Sequence, residues 1–387
     1  MRPASRAAIA ALGLAGLVGC GSEFELPTER PVGRAIPSDG SYQMLATWTG
    51  MHGVADILLT QGAGSQLFIV FNTGGTDSST RGDVRAYALT RPEPLTSFRF
   101  RTLFNPVALC SGGDGVRIPS NNRIFVLDQG DTCLARMNLR TGRCADTTGR
   151  FTGRVTRLEF HWRVREYRLL AGDTLSTFTD TTMAFVNGIA ADEEGRVYVA
   201  GTAVVGIPSQ TIPGAFERGF QFRVYRYIRG GPADRNMPGA SWHRDPDWYV
   251  EQGSGIGSLQ DPRGIFWSPA GGGALYAADF GKNWVQRIND LVASTGDYFL
   301  DGGQSGATFL GPVDVYADLS GFVYVADTGN RRVLRYGADA QYLQRVDVEP
   351  DASGLPLQNP VAVAADDSLV YVADPATAQV IRYKRRP

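Results

Sequence analysis

The chain has 387 residues, 43% hydrophobic and 20% charged, which is the balance of a globular protein with ample material for a large core. Its formal net charge of −1 lacks the basic excess that nucleic-acid binding requires. Only Lys282 and Lys384 are lysines, so almost every positive charge is arginine, a pattern we read as coding bias and not as function.

The one long apolar run is at the start: MRPASR, then AAIAALGLAGLVG, then Cys20. A basic stretch, an apolar core of about a dozen residues and small residues before a cleavage point predict a signal peptide over residues 1–19. No interior segment reaches the roughly 18 consecutive apolar residues of a membrane-spanning helix. Leu17-Val18-Gly19-Cys20 resembles the lipobox of bacterial lipoproteins, which implies acylation at Cys20 (palmitate among the chains). An ordinary signal peptide with an incidental cysteine is the alternative. Gly21 stands where an aspartate would resemble an inner-membrane retention signal, which implies a lipid anchor in the cell outer membrane where the host has two membranes; several acyl chains hold far more firmly than one. Cleavage would remove Arg2 and Arg6, leaving 36 basic against 39 acidic residues. Cys110, Cys133 and Cys144 would remain, enough for one disulfide whose pairing the sequence leaves open.

Residues 20–40 are polar and rich in proline and glycine and read as a tether. Tyr42 to Trp48 is a lone strand-like run. Six copies of a repeat follow, each centred on a short strand of alternating β-branched and aromatic residues. These are FIVFN at 68, IFVLD at 124, VYVAG at 197, LYAAD at 275, VYVAD at 323 and VYVAD at 370. An apolar stretch opened by proline or glycine precedes each one: HGVADI at 52, NPVALC at 105, VNGIAAD at 186, DPRGIFW at 261, GPVDVYAD at 311 and NPVAVAAD at 359. A third strand with a Val-x-Arg-Tyr flavour follows, with arginines at Arg136, Arg226, Arg287, Arg335 and Arg382, and a variable fourth follows most copies. The chain stops at the third strand of copy six, so the run at Tyr42 is expected to supply the missing strand and close the ring, removing exposed sheet edges.

Four strands per repeat and almost no helical periodicity predict an all-β, six-bladed β-propeller of four-stranded antiparallel blades over residues 41–387. The repeat resembles the NHL repeat, most completely at Tyr324-Val325-Ala326-Asp327-Thr328-Gly329-Asn330-Arg331-Arg332-Val333. Copies one to three match least and are stretched by insertions.

In a propeller, the loop entering the first strand and the loop after the second open on one face around the channel. The residue before the Gly-Val-like step of each copy is then His52, Val107, Asn187, Arg263, Val313 or Val361. His52, Asn187, Arg263 and, from the second-strand end, Asp279 are the candidate ligand-binding residues at the channel mouth. Asn72, Asp128, Asp279, Asp327 and Asp374 are expected to accept backbone N–H groups as blade-turn residues. Asp327-Thr328-Gly329 matches the triplet of aspartic proteases, but those enzymes need two such carboxylates and the chain has one triplet. His52, His161 and His243 have no metal-ligand spacing, and neither a nucleophile elbow nor a cofactor motif occurs. No metal, cofactor or catalytic residue is therefore assigned. The insertion at 202–220 is expected on the binding face, lengthening the second-to-third-strand loop of copy three. Trp242, His243 and Trp248 are expected in an outer-strand region. The expected function is binding of a protein, peptide or envelope glycan through the channel mouth. A lactonase-like hydrolase or lyase and a scaffold subunit of an envelope complex are the alternatives.

Overall fold

The computed structural model describes residues 42–386 apart from 46, 61–64, 73–81, 96–99, 101–102, 104, 113–122, 130–136, 139–142, 145–161, 169–173, 179, 181, 209, 212–215, 231–241, 290–295, 304–307 and 347–356. Cys20 with the predicted signal peptide and tether, Cys133, Arg136 and His161 lie outside the described residues.

Antiparallel sheets follow one another as blades of a six-bladed β-propeller with almost no helix. Their innermost strands are Val54–Leu59, Pro106–Gly112, Met183–Ala191, Pro262–Ser268, Pro312–Ala317 and Ala362–Ala365, in blades 1 to 6. Each pairs with the VYVAD-like strand that follows it, as in Val315↔Val325 and Val363↔Val372. The innermost strands contact their neighbours around the whole ring, from blade 1 to blade 6 and back. Side chains of the first two strands fill the spaces between blades. Val323 and Val325 are buried on one face and Tyr324 and Ala326 on the other, as are Val370 and Val372 and Tyr371 and Ala373 in blade 6, so both faces of these strands are apolar.

Both ends of the described chain complete blade 6. Tyr42–Met44 and Trp48–Thr49 pair antiparallel with Gln379–Arg385, in the registers Tyr42↔Arg385 and Trp48↔Val380. Trp48 is the pin of this seam. It is buried, with ring centroids 5.5 Å from Tyr87 of blade 1 and 6.2 Å from Tyr371 of blade 6, beneath the Arg382 guanidinium. Arg382 also donates to the Leu89 carbonyl at 3.0 Å, joining blade 6 to blade 1.

The Val-x-Arg-Tyr arginines of blades 3 to 5 also lie over aromatic rings. Arg226 lies over Trp248, Arg287 over Phe299 and Arg335 over Phe322. The stacked guanidinium planes keep their hydrocarbon stems in the blade and need no solvent.

Two sequence expectations are corrected. The third strand of blade 2 is Trp162–Arg168 and not the run ending at Met137. Its register places Arg163 opposite Asp128, as Arg332 stands opposite Asp327 in blade 5. Each pair forms a buried ion pair, at 2.6 and 2.7 Å. The insertion between Gln129 and Trp162 separated the two halves of the repeat and hid this match. The second correction concerns residues 202–220. They do not form a loop: Val197–Pro208 and Phe216–Arg229 continue their ladder out to Pro208↔Phe216. The resulting ribbon leaves Ile207, Phe216 and Phe220 exposed.

Candidate functional site at the channel mouth

The channel wall is built from one repeated irregularity. Near the start of each innermost strand the register slips by a residue, at Val54/Asp56, Pro106/Ala108, Val186/Gly188, Pro262/Ile265 and Pro312/Asp314. In blade 6, Val361 N–H bonds to the Ala373 carbonyl while Ala362 already stands opposite Ala373. A bulge of this kind re-aims a side chain out of the ladder. The re-aimed residues are Ala55, Val107, Asn187, Arg263, Val313 and Val361, and all six line a central channel of about 300 Å³.

Asn187 and Arg263 are thus neighbours on the ring, in blades 3 and 4. Arg263 is fixed from two sides: Asp261 accepts from its Nη2 at 2.7 Å and its Nε at 3.1 Å, and the guanidinium carbon lies 5.0 Å from the centroid of Phe280. Burial raises the Asp261 carboxyl above its usual range, opposed by Arg263. Asn187 Nδ2 donates to the Pro262 carbonyl at 3.2 Å, spanning the two blades.

His52 and Asp279 stand elsewhere. The pairing Val54↔Phe71 puts Val54 where blades 2, 4 and 5 carry proline, so Ala55 holds the ring position in blade 1. His52 is exposed in the turn ahead of that strand. The sequence His-Gly-Val imitates the step three residues too early. Asp279 is buried, and its carboxylate accepts from the amides of Gln260 and Asp261 at 3.1 and 2.9 Å and from Gln286 Nε2. It ties the end of its strand to the loop that enters the same blade. Asp128 accepts from Asn105 N–H, Asp327 from Leu310 N–H, and Asp374 from Gln358 and Asn359 N–H in the same manner. Asn72 holds that place in blade 1, where its own N–H donates to the Gly53 carbonyl at 2.7 Å.

Sequence reading missed the two carboxyls on the channel wall, Asp56 and Asp314. Each follows the bulge residue of its blade. Asp56 accepts from Ile57 N–H at 2.7 Å and from Leu109 N–H of blade 2 at 2.8 Å. Asp314 accepts from the Val363 N–H of blade 6 at 2.8 Å and from the Val315 N–H. Desolvation pushes the Asp56 carboxyl up to about 7, against the lowering effect of its two amide donors. Asp314 is raised further, first by burial and then by the charge of Asp56. Cys110, an unbridged and buried thiol on the same wall, is raised by burial and then by Asp56. The signal was present in the sequence: one acidic residue inside each of two otherwise apolar inner stretches, VADILL and PVDVYA.

At the other end of the channel is a recess of about 100 Å³. Its Asp192 is held by Arg196 and by Tyr198 Oη at 3.0 Å. Among the described residues, no group of three or more His, Cys, Asp or Glu side chains is disposed to hold a metal ion.

The fold and the wall together define a class: a six-bladed β-propeller whose largely apolar central channel carries a few polar side chains. No protein-family model matches the chain. No curated protein matches it either. Among solved structures, it is similar to the PQQ-bound aldose sugar dehydrogenase of Streptomyces coelicolor. The TM-score is 0.48 and the identity 13%, over 90% of this chain and 99% of that one.

Proposed function

We propose that the chain is an NHL-like binding propeller, lipid-anchored in the cell envelope through Cys20, that takes its ligand at the channel mouth. A protein, peptide or envelope glycan is the ligand class. The observation that carries this reading is the ring position shared by Arg263 and Asn187 beside a channel of about 300 Å³. Arg263 is held by Asp261 and Phe280 before any ligand arrives, so little side-chain freedom is lost on binding. Affinity of the ligand for Arg263→Gln and Asn187→Ala variants tests it. We expect each substitution to weaken binding about tenfold, the loss of one charge-assisted or well-placed hydrogen bond. Unchanged affinity in both variants would remove the mouth from the account.

The hydrolase or lyase reading has one observation in its favour. Burial raises both the Asp56 and the Asp314 carboxyl in the channel, the direction of shift that a general acid needs. Their oxygens are already engaged by backbone amides, which favours a structural use. Turnover of lactone or glycan substrates that is lost in Asp314→Asn but kept in Arg263→Gln would reverse that preference.

A further inference from the structure

The residue after the bulge step, Ile57, Leu109, Ile189, Ile265, Val315 or Val363, occupies the same register in each blade. In blades 2 and 6 its N–H points off the ladder to an aspartate of the preceding blade. Equivalent register turns the equivalent N–H of every blade to the channel edge. Asp56 satisfies Ile57 and Leu109, in blades 1 and 2. Asp314 satisfies Val315 and Val363, in blades 5 and 6. A third carboxylate, placed by the same rule, would bridge Ile189 and Ile265 in blades 3 and 4. The chain has Gly188 at that position, and among the described residues no side chain accepts from either amide.

Gly188 cannot be replaced by the missing acid. A Cβ built there overlaps the Arg263 carbonyl oxygen and falls 3.1 Å from the Ile265 nitrogen. The acceptor for these two donors must therefore come from the channel space, and Asn187 and Arg263 stand on the bulge just above them.

We propose that the wall of blades 3 and 4 is a carboxylate site, in which a ligand carboxylate bridges the N–H groups of Ile189 and Ile265 beneath Arg263. The ligand's acid takes the place that Asp56 and Asp314 hold in the other two pairs of blades. This deepens the channel-mouth reading and rests on it. The ligand class is a carboxylate on a slender stem, either a free small acid or the end of a peptide chain. Wider ligands stop at the mouth. Donors in this geometry, two backbone N–H groups with one guanidinium, suit an oxyanion and offer nothing to a cation.

The test uses the full chain in detergent, labelled with ¹⁵N-isoleucine, at about pH 6. Triglycine, triglycine amide and succinate are titrated separately, with sodium chloride as the control for bulk anion. The expected result is a saturable shift of the Ile189 and Ile265 amide signals with triglycine, with succinate, or with both. Triglycine alone assigns a peptide end, and succinate alone a free acid. Triglycine amide and chloride leave both signals in place, and Arg263→Gln raises the apparent Kd about tenfold. That variant changes an exposed side chain, so its fold is kept. Equal shifts with triglycine amide would overturn the carboxylate site while leaving a binding channel intact. Absence of any shift at both amides with triglycine and with succinate would also overturn it.

Discussion

Replacing Asp56 by asparagine should change the sign of its effect on stability between acid and alkaline pH. The folded carboxyl titrates at about 7 instead of its ordinary 3.8. The native state therefore keeps a proton that the unfolded chain gives up, so stability is highest below the unfolded value. It is lost as pH rises through the window from 3.8 to about 7. The full loss is on the order of 4 kcal/mol for this one group, at about 1.4 kcal/mol per pKa unit. Asparagine cannot ionise and avoids that loss, but it keeps one acceptor for two donors, Ile57 and Leu109 N–H. An unmade buried hydrogen bond costs about 1–3 kcal/mol. At pH 8 the variant should be more stable than the parent by about 1–3 kcal/mol, the difference of those two magnitudes. At pH 5 it should be equal or less stable. Urea unfolding followed by tryptophan fluorescence at the two pH values measures this directly. An equal stability difference at both would show that Asp56 is not held in its acid form, and the reading of the channel wall would fail with it.

The remaining predictions concern the anchor, the seam, the repeat and the ligand. Cys20→Ala should move the protein from the membrane fraction to the soluble envelope fraction; retention in the membrane would end the lipoprotein proposal. Trp48→Ala should cost about 3–5 kcal/mol in urea unfolding, because it leaves a cavity where the ring closes and strips Arg382 of its aromatic platform. A loss below about 1 kcal/mol would mean that the seam is held elsewhere. Asp327→Ala should cost about 3–5 kcal/mol, since the buried Arg332 loses its counter-charge. The exposed pair Arg85–Asp83 should contribute less than about 1 kcal/mol in the same assay. Carboxylate binding should strengthen as pH falls from 8 to 6. Among the described residues, the titratable or charged side chains lining the channel are Asp56, Asp314, Cys110, Tyr316 and Arg263, and the two aspartates lose their repulsion on protonation. An affinity for triglycine independent of pH would separate the site from the aspartates.

The blades were legible because the second strand is buried on both faces and so repeats as an unbroken apolar word ending in a turn acid. VYVAD at 323 and at 370 differ in nothing, and their aspartates make the same backbone contact. Closure was legible for a related reason: copy six holds three strands, and the strand-like run from Tyr42 to Trp48, outside every copy, pairs with the third of them. Blade 2 was not read in full because an insertion parted Asp128 from Arg163, and only folding restores their contact. The channel wall was half legible. Asn187 and Arg263 stood next to Gly-Ile steps that mark the bulge, whereas His52 stood next to a Gly-Val pair lying outside the ladder. Asp56 and Asp314 escaped because a carboxyl in an inner strand reads as a flaw in an apolar pattern. Its purpose lies in the amide of another blade, more than 40 residues away.

The most direct test of the central claim compares two faces of the same molecule. Full-length protein with Arg263→Gln and Asn187→Ala together, and protein with His243→Ala on the exposed outer strand of blade 3, are each used to capture ligand from envelope extract. The account predicts that the species bound by the parent chain is lost from the mouth variant and kept by the outer-strand variant. Retention by the mouth variant with loss from the outer-strand variant would contradict it, and would favour a scaffold that works through its blade edges.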